Sequence, residues 1–396
     1  MYKLLDQKLN LLQCYIIFIL IKGNILKLEI KDKQKIFFLN STSSIEIHPL
    51  WLRERINTDE LVDKNNQQRL YDNTNLALDI VIKNAKIDNT LLDIKFSDGI
   101  SFKFNIDNLL YELNEDLCKM GPVNKPVLWK SNSQYDPYFN YSENFHEKEE
   151  MYNLLKNFYK YGFVIVRKVP TEDSFIVKFA NSIGTVRPTN FGNHFNVLSV
   201  PKPNDLAYTS LALSPHTDNP YRKPVPCIQL LHCLENEVSG GLSTLVDGFA
   251  VASDLRKNNK KYFDILSQVK VRFRFDDKDV ILENWGELIE LDEKNNVKQV
   301  RYSSRLDYVP ALEKEKLNLF FEARKLLSKL YNSNNFEIKF KLMPGDLMIM
   351  DNHRLLHGRT RYDSSEGKRH LQGCYIDYDS SEGKLRHLQR KFKKDY

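Results

Sequence analysis

The chain is poor in the residues that staple small secreted folds. Its 396 residues include five cysteines, Cys14, Cys118, Cys227, Cys233 and Cys374, an odd number at wide spacing with no Cys-x-x-Cys. That pattern argues against a disulfide framework and fits a reducing compartment, so a cytoplasmic location is expected. Long apolar runs are also scarce. The stretch "LLQCYIIFILI" at 11–21 falls short of the roughly 20 residues a membrane span needs. Lys3 and Lys8 precede it, as in a signal peptide, but no small-x-small cleavage site follows; a soluble protein without a membrane partner is expected. Charge of one sign is lacking too. The 58 basic and 52 acidic residues leave +6, much of it in "LRHLQRKFKKDY", so no nucleic-acid surface is expected.

What remains is an ordinary globular composition, long enough for two domains. Residues 1–24 read as an N-terminal extension, with 11–21 a buried strand or helix. Residues 25–115 read as a small β-rich domain: "ILKLEI" alternates, and "LLDIKFSDGISFKFNI" turns at Asp98-Gly99 as a hairpin. Residues 116–148, rich in Pro and Asn, read as a linker, 149–378 as the main domain and 379–396 as a basic tail. In the main domain the helical pattern "HEKEEMYNLLKNFYKYG" precedes many short strands punctuated by Pro, Gly and Asn, with a few helices between them. That succession predicts a mainly β barrel or jelly roll with decorating helices.

Chemistry is concentrated at "SPHTDNPYR" and "DNHRLLHGR". His216 and Asp218 are two apart, so on a strand they share a face. His357 supplies a third donor. Two imidazoles and one carboxylate leave open positions on an octahedral ion, the donor set of non-haem Fe(II) oxygenases. His353 lies four before His357, but Arg354, Leu355 and Leu356 between them offer no Glu for a zinc-peptidase motif, so His353 reads as structural or surface. His232, in "LLHCL", reads as a core histidine. An oxygenase using 2-oxoglutarate needs a guanidinium fork for the distal carboxylate. The string YDSSEGK occurs twice, at 362–368 and 378–384, each time followed by an Arg-His-Leu-Gln run. Arg369 follows His357 by 12 residues and opens a strand pattern, whereas Arg386 follows by 29 in polar sequence. Only Arg369 has the reach, and the second copy reads as tail.

With these residues in place, the chain resembles the γ-butyrobetaine and trimethyllysine dioxygenase group of the taurine dioxygenase-like superfamily. The likeness runs from about 25 to 378 and is carried by "HPLWLRER", "AYTSLALSPHTDNPYR", "QLLHCLENEVSGGLSTLVDGF", "MPGDLMIMDNHRLLHGR" and "RHLQGCY". It implies a double-stranded β-helix (jelly roll) behind a small N-terminal domain. It implies Fe(II) on His216, Asp218 and His357, and 2-oxoglutarate on Arg369 with Ser243 beside it. O2 is the other co-substrate and ascorbate a reductant. It also implies a trimethylammonium substrate in an aromatic cage of Phe191, Phe195, Tyr208 and Tyr375. A quaternary ammonium has no hydrogen to donate, and aromatic faces suit it. Asp205 falls where the butyrobetaine enzyme has an amide; Arg222 and Arg305 are candidates for the anionic end, carboxylate or phosphonate. Relatives pair as homodimers. "WLRERINTDELVDKNNQQRLYD" lacks the cysteines that bind zinc in animal relatives, so no structural zinc is expected. Two rivals stand beside this reading: a metal-free quaternary-ammonium binding protein and a zinc hydrolase.

Overall fold

The computed structural model describes residues 15–21, 24–40, 43–113, 125–198 and 209–393. They fall into two compact units that divide within the stretch read as linker. No helix among the described residues is long and apolar enough to cross a membrane.

The first unit is β-rich. Strands β1 (Tyr15–Ile21), β2 (Asn24–Lys31), β3 (Lys35–Leu39) and β4 (Ser44–Glu46) form one antiparallel sheet. Part of the stretch read as an extension is thus a strand, β1, paired with β2 from Tyr15 opposite Ile30 to Ile21 opposite Asn24. Strands β5 (Ile82–Asp88), β6 (Leu91–Phe96) and β7 (Ser101–Asn105) form a meander before the helix Ile106–Leu113. Gly99 takes φ +91° in the β6–β7 turn, a left-handed conformation that glycine accepts without strain. Leu28, Ile30, Phe38, Leu92, Ile94 and Leu110 are buried in this unit's core.

The second unit is a two-sheet sandwich. The larger sheet runs β10-β22-β12-β20-β9-β8: Phe195–Val197, Arg369–Ile376, Ile228–Asn236, Leu347–Asp351, Phe163–Arg167 and Tyr138–Asn140. The smaller runs β11-β21-β13-β19: Leu213–His216, Leu355–Arg359, Ser243–Asp247 and Glu337–Phe340. Alternation sorts the side chains. On β12, Ile228 and Leu230 face the helices Glu149–Tyr161, Phe175–Ile183 and Tyr378–Lys393. Leu231 and Cys233 face the other way and meet Leu245 and Leu355 of the smaller sheet. Beyond the smaller sheet, Val246 and Leu356 pack with the helices Gly248–Asn258, Lys260–Leu266 and Lys314–Tyr331. Between those helices the chain forms β14 (Lys270–Asp277), β15 (Val280–Glu287), β16 (Ile289–Leu291), β17 (Val297–Val300) and β18 (Asp307–Tyr308). This is the jelly roll with decorating helices that the strand pattern implied. Strand β8, from the stretch read as linker, pairs in parallel with β9 at the sheet edge.

The two copies of YDSSEGK fold differently. The first is a turn leading into β22, with Tyr362 buried. The second opens the helix Tyr378–Lys393. The segment read as a basic tail is therefore a helix that packs, Leu385 and Leu388 being 1% exposed against the larger sheet's outer core. Leu385, absent from the first copy, sets the second on a helical stripe; Ser381 is buried and shares a hydrogen bond with the Tyr159 hydroxyl.

Candidate active site

Strand pairing builds the metal-binding geometry. His216 ends β11 in register with His357 of antiparallel β21, and their ring centroids are 4.5 Å apart. Asp218 lies two residues further, in the turn. Its Oδ1 is 3.4 Å from His216 Nε2 and 3.7 Å from His357 Nε2. The three donor atoms lie within 4.8 Å of one another, and among the described residues this is the only such cluster. His216 Nδ1 is 2.9 Å from the Ser214 carbonyl, which orients the ring and leaves Nε2 for an ion. Burial pushes the His357 pKa down to about 4, so the imidazole is neutral near pH 7, the form that ligates. Burial opposes ionisation of Asp218, yet His357, His216 and a hydrogen bond from Tyr375 outweigh it and hold the carboxyl below its usual range. The donor set and its open side fit a six-coordinate Fe(II).

The hydrogen bonds that hold Asp218 were not found by sequence reading, which named Tyr375 only as a cage ring. Tyr375 O–H donates to its Oδ2 at 2.7 Å and Gln229 Nε2 to the same oxygen at 2.5 Å. Asn352, fully buried, accepts from the Asp218 backbone N–H at 2.7 Å and donates to the Asp218 carbonyl at 3.0 Å. These roles depend on β22 and β20 flanking β12, which local sequence does not reveal. Asn352 was within a quoted motif, and its neighbour His353 is the structural histidine expected, its Nε2 3.1 Å from the Val225 carbonyl.

Two cavities open beside the triad. The first lies between the sheets and is lined by Leu231, Ser243, Thr244, Met348, Arg359 and Arg369. Arg369 is 7% exposed, and its Nη2 donates to the Gly241 carbonyl at 3.2 Å. Its Nε has no partner, and its titratable neighbours are Tyr362 and Cys233, neither of them a carboxylate. Gly241 takes φ +65°, and a Cβ there would lie 2.8 Å from Arg369 Nε, so only glycine lets the guanidinium pass. Arg359 and Arg369 flank the Tyr362 ring at 5.2 and 5.5 Å. Arg359 Nη2 donates to the Thr209 and Leu211 carbonyls, and the buried Arg369 with its open Nε favours an anion in this chamber, since a buried charge is costly unless it is paired.

The second cavity is aromatic. Phe191, Phe195, Tyr221 and Tyr375 line it together with Ser303 and Arg305. Phe195 lies 6.4 Å from Phe191 and 5.5 Å from Tyr375 between ring centroids. Three expected cage residues thus meet beside the triad, with Tyr221 added. Tyr208 and Asp205 lie outside the described residues. Arg305 faces this cavity; Arg222 lines neither, sits beside the Tyr221 ring and donates to Asn190.

A jelly roll holding two histidines and a carboxylate at the mouth of an arginine-lined chamber defines the class of mononuclear non-haem oxygenases. The chain belongs to the taurine catabolism dioxygenase TauD, TfdA family, whose profile matches residues 131–375. It is a dioxygenase. It is 34% identical over 268 residues to gamma-butyrobetaine dioxygenase of Homo sapiens, covering 66% of this chain and 69% of that one. It is 29% identical over 349 residues to mitochondrial trimethyllysine dioxygenase of Rattus norvegicus, covering 83% and 80%. A solved structure, non-heme iron oxygenase OrfP in complex with Fe and alpha-ketoglutaric acid, is 15% identical with a TM-score of 0.46 over 61% of this chain and 94% of that one.

Proposed function

We propose that this dioxygenase holds Fe(II) on His216, Asp218 and His357, and 2-oxoglutarate on Arg369 with Ser243 beside it. With O2 it hydroxylates a small trimethylammonium compound, γ-butyrobetaine first of all, giving carnitine. One observation carries the reading: an aromatic cavity and a cationic cavity meet at the same triad. The relatives named for γ-butyrobetaine and for trimethyllysine support the trimethylammonium class.

Iron, when bound, supplies the activation of O2; the chain supplies placement and dryness. Arg369 offers a fixed fork for a distal carboxylate at a depth set by the Gly241 carbonyl. Leu231, Met348 and Leu371 wall that chamber with apolar surface and keep water out. Phe191, Phe195, Tyr221 and Tyr375 present ring faces to the ammonium, which orients the reacting carbon toward the triad. Arg305 pairs the substrate's anionic end. A guanidinium accepts phosphonate as well as carboxylate, so 2-trimethylaminoethylphosphonate is the second reading.

The test is succinate release with Fe(II), 2-oxoglutarate, ascorbate and O2. The panel is γ-butyrobetaine, trimethyllysine, 2-trimethylaminoethylphosphonate and taurine, with Arg369→Ala as control. Stimulation by one trimethylammonium compound, lost in the control, is expected. A response to taurine alone would sink the cage. No response from folded, iron-loaded protein would favour a non-catalytic quaternary-ammonium binder.

A further inference from the structure

The two oxygens of Asp218 are not equivalent. Oδ1 faces the histidine nitrogens at 3.4 and 3.7 Å. Oδ2 accepts two hydrogen bonds, from Tyr375 O–H at 2.7 Å and Gln229 Nε2 at 2.5 Å. Both donors come from adjacent strands of the larger sheet, β22 and β12, where Gln229 and Tyr375 are direct register partners. Both are buried, at 1% and 3% exposure. The backbone beneath the carboxylate is held as well, by Asn352. The side chain therefore has one oxygen engaged by the sheet and one left toward the ion.

We propose that Tyr375 and Gln229 are positioning residues that keep Asp218 a one-oxygen ligand. With Oδ2 engaged by two donors, a swing that brings both oxygens to the metal must break two buried hydrogen bonds. A one-oxygen carboxylate and two imidazoles occupy three of six positions. A two-oxygen carboxylate occupies a fourth and leaves too few for a chelating 2-oxo acid together with O2. Tyr375 then serves two sites at once. Its ring faces the aromatic cavity and its hydroxyl faces the metal carboxylate, so the cage and the ion share a side chain. The inference rests on the metal reading above, and it assigns to Gln229, and to the hydroxyl of Tyr375, a role that an aromatic cage alone does not require.

The test is Co(II) binding to the full-length protein, followed by the visible d–d spectrum under anaerobic conditions, for wild type, Tyr375→Phe and Gln229→Met. Each variant keeps the volume and, for Tyr375→Phe, the ring. Outer partners of metal ligands are worth about 10- to 100-fold in affinity. A rise of about tenfold in the Co(II) Kd and a changed spectrum are expected in each variant. Unchanged melting temperature separates this from unfolding, and Gln229→Met, which leaves every cage ring in place, gives a second arm. A wild-type protein that binds Co(II) stoichiometrically, with both variants matching its affinity within twofold and its spectrum, overturns the inference and leaves the metal reading standing. A wild type that binds no Co(II) overturns both.

Discussion

Gly373 offers a sharp probe of the aromatic cavity because it touches no ligand itself. It lies on β22 between Leu371 and Tyr375, opposite Phe195 of β10. Its backbone conformation accepts any residue, so Gly373→Ala adds a methyl without local strain. That methyl would stand 2.5 Å from Phe195 Cε2, closer still to Cζ, and 3.1 Å from Leu231 Cδ2. Carbon contacts settle at about 3.5–4.0 Å, so the ring must withdraw by roughly 1 Å or more. Phe195 is half-buried and has room to do so, and overall stability should change little. The cage, however, loses the registry of one face. A single cation–π contact is worth about 0.5–2 kcal/mol, which is about 2- to 30-fold in affinity. The expected result is a Kd for γ-butyrobetaine raised about tenfold by titration calorimetry on iron-loaded anaerobic protein, with the melting temperature held within about 2 °C. Phe195→Ala should show a comparable loss. If Phe195→Ala weakens binding and Gly373→Ala does not, the ring repositions without consequence and the packing argument fails. If neither weakens it, Phe195 is not a binding face.

Arg354 and Asp247 form an ion pair at 2.7 Å with side chains 1% and 0% exposed; Arg354→Met strands the carboxylate and should cost about 3–5 kcal/mol in urea unfolding. Gly383 sits in the helix Tyr378–Lys393, and nothing lies within 4 Å of a Cβ there. Gly383→Ala should therefore stabilise by about 0.5–1 kcal/mol, and a loss of stability would contradict the helical assignment. Burial pushes the His232 pKa down to about 4 from 6.5. Its folded form binds a proton less readily than its unfolded form, so its contribution is complete above about pH 6.5 and is lost as pH falls toward 4. His232→Leu should flatten the decline in melting temperature across that window.

The His-Asp-His cluster was legible from a His-x-Asp pair and a later histidine in a strand pattern, and Arg369 from its position on the next strand. Phe191, Phe195 and Tyr375, which line the aromatic cavity, were legible by likeness, while Tyr221 was passed over inside its own motif. Gln229 and Asn352 were not legible, since a glutamine in "IQLLHCL" acquires meaning only when β22 pairs beside it. The C-terminal helix was missed for a related reason. Its polar first turn and its glycine speak against a helix, and its stability comes from Leu385 and Leu388 packing on a sheet formed by earlier sequence. Strand β1 was ambiguous because a short apolar run fits helix or strand equally, and the pairing partner decides.

The duplicated heptapeptide has a consequence at the level of the gene. Its copies begin sixteen residues apart, at Tyr362 and Tyr378. A replication slip that mispairs the two coding stretches would excise Tyr362–Asp377 in frame and leave a chain that still reads YDSSEGKLRHLQ. It would lack all of β22, and with it the strand between β10 and β12, the guanidinium of the cationic chamber and the shared tyrosine. A single in-frame excision between the copies would thus strip β22 residues from both cavities at once.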